Sequence, residues 1–261
     1  MSTGTNAVIE TEGLERRFGM LVAVDDVTVT INEGEITSII GPNGAGKSTF
    51  YNLLAGQLRP TDGVVRLRPR GGGDLVQVSG KEPFEINRMG LSRAFQINNV
   101  FEGLSVLDNI RIARISNDKR TLDLTALAKQ DERLTEECWE VIDLVGLEEV
   151  AETEFANLSH GDKRKVELAL ALGTDPSVVL LDEPTAGMNA RETRQMVDLI
   201  RRLDQETDTT FVVTEHDMEV VLGISDRILV FDRGALIADG TPDEVQGNTD
   251  VQEAYLGGVE L

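Results

Sequence analysis

Gly41-Pro42-Asn43-Gly44-Ala45-Gly46-Lys47-Ser48 carries the spacing G-x-x-x-x-G-K-[ST] at every fixed position. Its surroundings fit as well. Glu35-Ile36-Thr37-Ser38-Ile39-Ile40 reads as a β-strand, and Ser48-Thr49-Phe50-Tyr51-Asn52-Leu53-Leu54 reads as the opening of a helix. A glycine-rich turn between strand and helix directs backbone N–H groups toward an anion, and the helix N-terminus adds positive potential. Lys47 would reach the β- and γ-phosphates of a nucleotide, and the Ser48 hydroxyl would bind Mg²⁺. The alternative, a glycine-rich turn that binds nothing, leaves the ordered succession of strand, loop and helix unexplained.

Composition sets the outer bounds. With 261 residues and 40% apolar side chains, the chain is long enough for a substantial core and has an ordinary globular composition. No apolar run approaches the roughly 18–20 residues needed to span a bilayer. Met1-Ser2-Thr3-Gly4-Thr5-Asn6 lacks the basic start and apolar stretch of a signal peptide. The single cysteine, Cys138, rules out an internal disulfide and suits a reducing compartment. Forty-six acidic against 25 basic residues leave a net charge of −21. Such a surface repels nucleic acid, so neither DNA nor RNA is expected as a partner. It also suggests a protein adapted to high salt, where self-repulsion is screened.

Outward from the loop, Ala7–Thr11 and Val27–Ile31 read as strands. Val64–Arg68 and Leu75–Val78 flank the turn-rich Pro69–Asp74 as a hairpin, and Leu91–Gln96 reads as a short strand entering a loop. From 97 to 157 the pattern turns helical; Leu134, Cys138, Val141 and Val145 share one helical face, which makes Cys138 a packing residue. Strand and helix then alternate again. Asp162–Leu172 is helical, Ser177–Asp182 and Thr210–Thr214 are continuous apolar strands of the buried parallel kind, and Met196, Val197, Ile200 and Leu203 line a helix between them. Arg227–Ala238 is a hairpin turning at Arg233-Gly234. The expected architecture is α/β, with a phosphate-loop core interrupted by a helical insertion of about 60 residues.

Two further stretches bear chemistry. Leu180-Leu181-Asp182-Glu183 ends an apolar strand in two acids: Asp182 can hold the Mg²⁺ shell, and Glu183 can polarise an attacking water. Leu158-Ser159-His160-Gly161-Asp162 starts a helix, where the Ser159 hydroxyl and the Gly161 backbone offer a second anion seat. One nucleotide needs only one phosphate loop. A second seat therefore suggests service to the nucleotide of another copy, unless Ser159 is only a helix cap.

Taken in order, these motifs resemble those of the ATP-binding-cassette (ABC) ATPases, and the resemblance covers nearly the whole chain. It implies a P-loop NTPase (RecA-like) core with an antiparallel β subdomain, formed by 1–96 and 158–261, and a helical subdomain at 97–157. It implies ATP and Mg²⁺ as ligands. The ATP-binding set would be Phe18, stacking on adenine, with Gly41, Pro42, Asn43, Gly44, Ala45, Gly46, Lys47, Ser48 and Thr49. Glu183, His216 and Gln96 would be the catalytic set, and Ser48, Gln96 and Asp182 the metal set. Ser159, His160, Gly161 and Asp162 would contact the ATP of a partner subunit.

Departures narrow the family. The usual signature reads Leu-Ser-Gly-Gly-Gln, whereas His160 and Asp162 take its third and fifth places; Asn189 stands where Asp is more common. Similar wording occurs in one of the two ATPases of branched-chain amino acid importers and in related urea importers. Arg17–Val27, Thr214–Met218, Gly223–Arg227, Asp239–Pro242 and Glu253–Gly257 agree with it. The resemblance implies a head-to-tail dimer, of two copies or of this chain with a sister ATPase. It implies separate membrane permeases, a solute-binding protein in the same system, and a peripheral position on the cytoplasmic face of the membrane. Val100, Phe101, Leu104 and Val106 would offer a permease an apolar patch, or would form local core. A soluble ABC protein acting on ribosomes would commonly show two cassettes or basic extensions. A P-loop kinase or GTPase needs neither Leu-Ser-x-Gly nor a histidine after the last core strand.

Overall fold

The computed structural model describes residues 6–94, 100–117 and 132–256. Two sheets share the core. The first is antiparallel, with β1 (Ala7–Phe18), β2 (Leu21–Asn32), β4 (Asp62–Leu67) and β5 (Val76–Gln77) in the order β2-β1-β4-β5. The second has six strands in the order β10-β9-β3-β8-β7-β6. Its members are β3 (Thr37–Ile40), β6 (Leu91–Ala94), β7 (Val178–Asp182), β8 (Thr210–Thr214), β9 (Arg227–Asp232) and β10 (Ala235–Gly240). All its pairings are parallel except the β9–β10 hairpin, which turns at Arg233-Gly234 with both residues at positive φ.

The parallel strands are mostly buried and largely apolar because both faces are covered, with Thr37, Ser38, Ser92 and Arg93 among the exceptions. Side chains alternate between the faces. Val178, Leu180 and Val212 join a core with the antiparallel sheet and helix α1 (Lys47–Leu54), where the Phe50 and Phe231 rings meet at 5.0 Å. Val179, Leu181, Phe211 and Val213 join the opposite core with α3 (Val106–Asn117), α4 (Glu132–Val145), α5 (His160–Gly173) and α6 (Ala190–Glu206). The remaining helices are short: α2 (Pro83–Arg88), α7 (Met218–Ile224), α8 (Pro242–Gln246) and α9 (Thr249–Leu256).

Cys138, Val141 and Val145 are buried on α4 as their spacing predicts. Ile142 joins them, and Leu134 is only partly buried. Helix α2 has no counterpart in the periodicity of its six residues; it is set by a capping box in which Glu82 and Glu85 satisfy each other's backbone N–H groups, with Pro83 in the first turn. Helix α5 begins two residues before the expected Asp162, because Ser159 caps it. Val106 is fully buried, so the expected apolar patch shrinks: Leu104 is half-buried, Val100 packs on the core, and Phe101 alone of the four stays exposed. The physical reason is that Val106 begins α3, whose inner face packs on α4 and α5. Among the described residues, no helix is long and apolar enough to cross a membrane.

Candidate functional site

The loop that follows β3 is shaped by what packs beneath it. Gly41 and Gly46 both have positive φ, and a Cβ on either would collide with a backbone carbonyl oxygen, that of Phe231 or of Ala23. Only glycine fits those two positions. The Gly234 N–H donates to the Ala45 carbonyl at 2.9 Å, which ties the β9–β10 turn to the loop. Gly46 is the N-cap of α1 and uses no side-chain cap, so the first N–H groups of the helix face the loop mouth. Lys47 is half-buried and donates to the Gly41 carbonyl at 2.5 Å and the Pro42 carbonyl at 3.1 Å. Burial pushes its ammonium pKa down, against an opposing pull from the Glu183 charge. Asn43, Gly44 and Ser48 are exposed; Pro42 and Thr49 are partly so.

Strands β7 and β8 bring the second set of residues to the same sheet edge. Asp182 pairs in register with Thr214, and both end their strands. The Thr214 hydroxyl donates to Asp182 Oδ1 at 2.7 Å, and Arg93 on β6 donates to Oδ2 at 2.5 Å. Glu183 has a left-handed backbone at φ 49° and donates its N–H to the Thr214 carbonyl at 3.0 Å. That conformation costs a non-glycine residue about 1–3 kcal/mol. It turns the Glu183 side chain off the strand into the open, where its carboxylate lies 3.5 Å from His216 Nδ1. Helix α1 is fastened over this edge by Tyr51, fully buried, whose hydroxyl lies within hydrogen-bond reach of the carbonyls of Leu181 (2.7 Å) and Val212 (2.5 Å).

The Phe18 ring is exposed, with the Arg16 guanidinium 4.6 Å above its centroid. It pairs with Leu21 across the β1–β2 hairpin, and Ala23, two residues on, lies against Gly46. The hairpin that carries Phe18 therefore runs beside the phosphate loop. Gln96 lies outside the described residues.

Ser159 is the N-cap of α5, and its hydroxyl is already engaged. It donates to Asp162 Oδ2 at 2.6 Å and accepts from the Asp162 N–H at 3.2 Å. Asp162 thus does more than replace a neutral amide: it takes the hydroxyl proton that an incoming anion would use. His160 Nε2 lies 3.4 Å from the Ala186 carbonyl, and Arg164 approaches the same oxygen at 3.4 Å. The α5 start therefore leans on the loop that follows the acid pair. Asn189 caps α6 with its side chain, accepting from the N–H groups of Arg191 and Glu192. An amide oxygen serves that role as well as a carboxylate does.

Three residues escaped the sequence reading. Arg93 and Thr214 hold Asp182, and Glu215 is buried while accepting from Thr185 and from the His216 N–H. Only Glu215 left a signal in the sequence, an acid between a buried strand and His216.

The family model described as ABC transporter matches residues 24–186, and one described as branched-chain amino acid ATP-binding cassette transporter matches 235–260. The chain is 38% identical over 255 residues to the high-affinity branched-chain amino acid transport ATP-binding protein LivG of Salmonella typhimurium, covering 96% of this chain and 98% of that one. It is 38% identical over 262 residues to the corresponding protein BraF of Pseudomonas aeruginosa, with the same coverage. Among solved structures, the ADP conformation of an ATP-binding cassette of an ABC transporter superposes with a TM-score of 0.84 at 29% identity, covering 97% of this chain and 100% of that one. A dimeric post-hydrolysis cassette bound to ADP and Pi superposes at 0.73 with 25% identity, covering 90% and 98%.

Proposed function

This chain belongs to the ABC transporter family, and from that premise we propose that it is the ATP-hydrolysing subunit of a branched-chain amino acid importer. The observation that carries the reading is the meeting, at one sheet edge, of the Gly41–Ser48 loop, the Asp182-Glu183 pair and His216, in a chain whose full length matches the LivG proteins.

In this reading Lys47 and the α1 N-terminus bind the β- and γ-phosphates, and Phe18 stacks on adenine. Among the described residues Asp182 accepts one hydrogen bond on each oxygen, and with the Ser48 hydroxyl it makes a set of hard oxygen donors that fits Mg²⁺. Ser48 and Asp182, with Gln96, would hold that ion, which when bound offsets charge on the β- and γ-phosphates. Glu183 accepts a proton from the attacking water, and His216 donates to the γ-phosphate. The strained Glu183 backbone matters because it turns the carboxylate away from the sheet and toward His216.

Ser159, His160, Gly161 and Asp162 serve the ATP of a partner subunit, either a second copy or a sister ATPase. Closure of that dimer would exclude water and move helices α3 and α4. A permease would receive the motion at a groove of about 490 Å³ whose mouth carries Phe84 and Phe101, both exposed. A solute-binding protein would deliver the amino acid from the other side, which puts this subunit peripherally on the cytoplasmic face.

Co-expression with branched-chain amino acid permease subunits, followed by reconstitution into proteoliposomes, tests the proposal. ATPase activity that rises when a binding protein loaded with leucine, isoleucine or valine is added supports it. Activity that ignores every such amino acid while responding to urea or an amide would transfer the assignment to the related importers.

A further inference from the structure

Among the described residues the Arg93 guanidinium has three oxygen partners, from two parts of the fold. One terminal nitrogen donates to Asn52 Oδ1 and Gln57 Oε1, each at 2.7 Å; the other donates to Asp182 Oδ2 at 2.5 Å. Asn52 lies on α1, the helix that starts at Lys47, and Gln57 lies just beyond its end. The Tyr51 ring, from the same helix, lies 5.6 Å below the guanidinium. The Arg93 side chain is 12% exposed and that of Asp182 29%. A planar fork with fixed donor directions can join these groups at once, which a lysine ammonium on a flexible stem cannot reproduce.

We propose that Arg93 is a positioning residue for the metal-holding acid, setting the Asp182 carboxylate against the helix of the phosphate loop. The proposal rests on the reading of Asp182 given above. Two effects oppose each other here. A cation beside Asp182 weakens its pull on a second cation, whereas a fixed carboxylate loses no freedom when it binds one. Fixing prevails because the guanidinium is itself held by Asn52 and Gln57 and takes up only one lone pair of Asp182 Oδ2. Outer partners of metal-holding carboxylates are typically worth about 10–100-fold in metal affinity.

The test is the binding of a fluorescent, non-hydrolysable ATP analogue, measured in EDTA and again in excess Mg²⁺. The ratio of the two dissociation constants reads the metal's contribution separately from hydrolysis. In Arg93→Met and Arg93→Lys that ratio falls by about tenfold, while the affinity in EDTA stays within about twofold of wild type. Gln57→Ala, at an exposed position, moves the ratio in the same direction and keeps the test open if Arg93→Met fails to fold. A ratio unchanged in both Arg93 variants overturns the proposal, and so does a ratio that rises in Arg93→Met, which would make the guanidinium a competitor of the metal. Equal losses with and without Mg²⁺ would also overturn it, reducing Arg93 to scaffold. Should wild type itself bind no tighter with Mg²⁺, the reading of Asp182 fails first and takes this proposal with it.

Discussion

The Glu215 carboxylate, 2% exposed, accepts both the backbone N–H and the hydroxyl of Thr185, at 3.1 and 2.6 Å, through a single oxygen. Its other oxygen accepts from the His216 N–H at 3.2 Å. One buried acid therefore ties the turn after Glu183 to the turn that carries His216. Thr214 holds the strained Glu183 backbone within the sheet, and Glu215 holds Thr185, two residues further on.

Replacing Glu215 with Gln keeps the shape but removes the charge that strengthens these contacts. Hydrogen bonds to charged groups are worth about 1.5–3 kcal/mol, so stability in urea should fall by roughly that range for one such bond. The turnover number should drop while the ATP dissociation constant holds. Full activity at reduced stability would show that the tie serves the fold alone.

Glu183→Gln removes the proposed base and leaves the phosphate loop intact. Hydrolysis should fall by about 10²–10⁴-fold, ATP should still bind, and light scattering with ATP should detect a trapped dimer. Lys47→Ala acts on binding instead: losing one charged contact to phosphate should weaken ATP by on the order of ten- to a hundredfold. Retained turnover in the first variant, or unchanged affinity in the second, contradicts the assignment concerned.

Phe101→Ala separates docking from folding. The ring is 54% exposed, so its loss should change stability by no more than about 0.5 kcal/mol. Pull-down of the permease should weaken sharply all the same. Undiminished binding moves the permease contact elsewhere on the surface.

The Cys138 thiol is pushed up to about 11 by burial. At pH 8 the folded protein should resist iodoacetamide and react only after denaturation. The contribution to stability is complete below the ordinary thiol value of 9.0, then lost as pH rises through about 11, since the unfolded chain releases the proton that the fold retains. Rapid labelling of folded protein at pH 8 would contradict the burial of α4.

With a net charge of −21, stability should rise from low salt to molar KCl. The screening length falls over that range from about 30 Å at 0.01 M to about 3 Å at 1 M. A thermal midpoint that stays flat would show that the acidic excess has no such role.

The α/β class, the order of the strands along the chain and the glycine-rich turn at Gly41–Ser48 between strand and helix were legible in the sequence. They depend on local rules: glycine at positive φ, period-two and period-3.6 burial, apolar runs in strands covered on both faces. Ser159 as the start of a helix and Arg233-Gly234 as a hairpin turn belong to the same category. Helix α2 and the burial of Val106 did not, because a six-residue helix set by a capping box shows no periodicity, and burial at an element's edge depends on what packs against it.

What only the tertiary structure decided is the company each polar group keeps. Arg93 and Asp182 are 89 residues apart in sequence, and Thr185 and Glu215 are 30 apart. Asp162 takes the Ser159 hydroxyl, although nothing in the spelling Ser-His-Gly-Asp says which way that hydroxyl points. A motif specifies which groups the backbone can present. Pairing between distant strands, set by the order β8-β7-β6, specifies which of those groups come within hydrogen-bond range of one another.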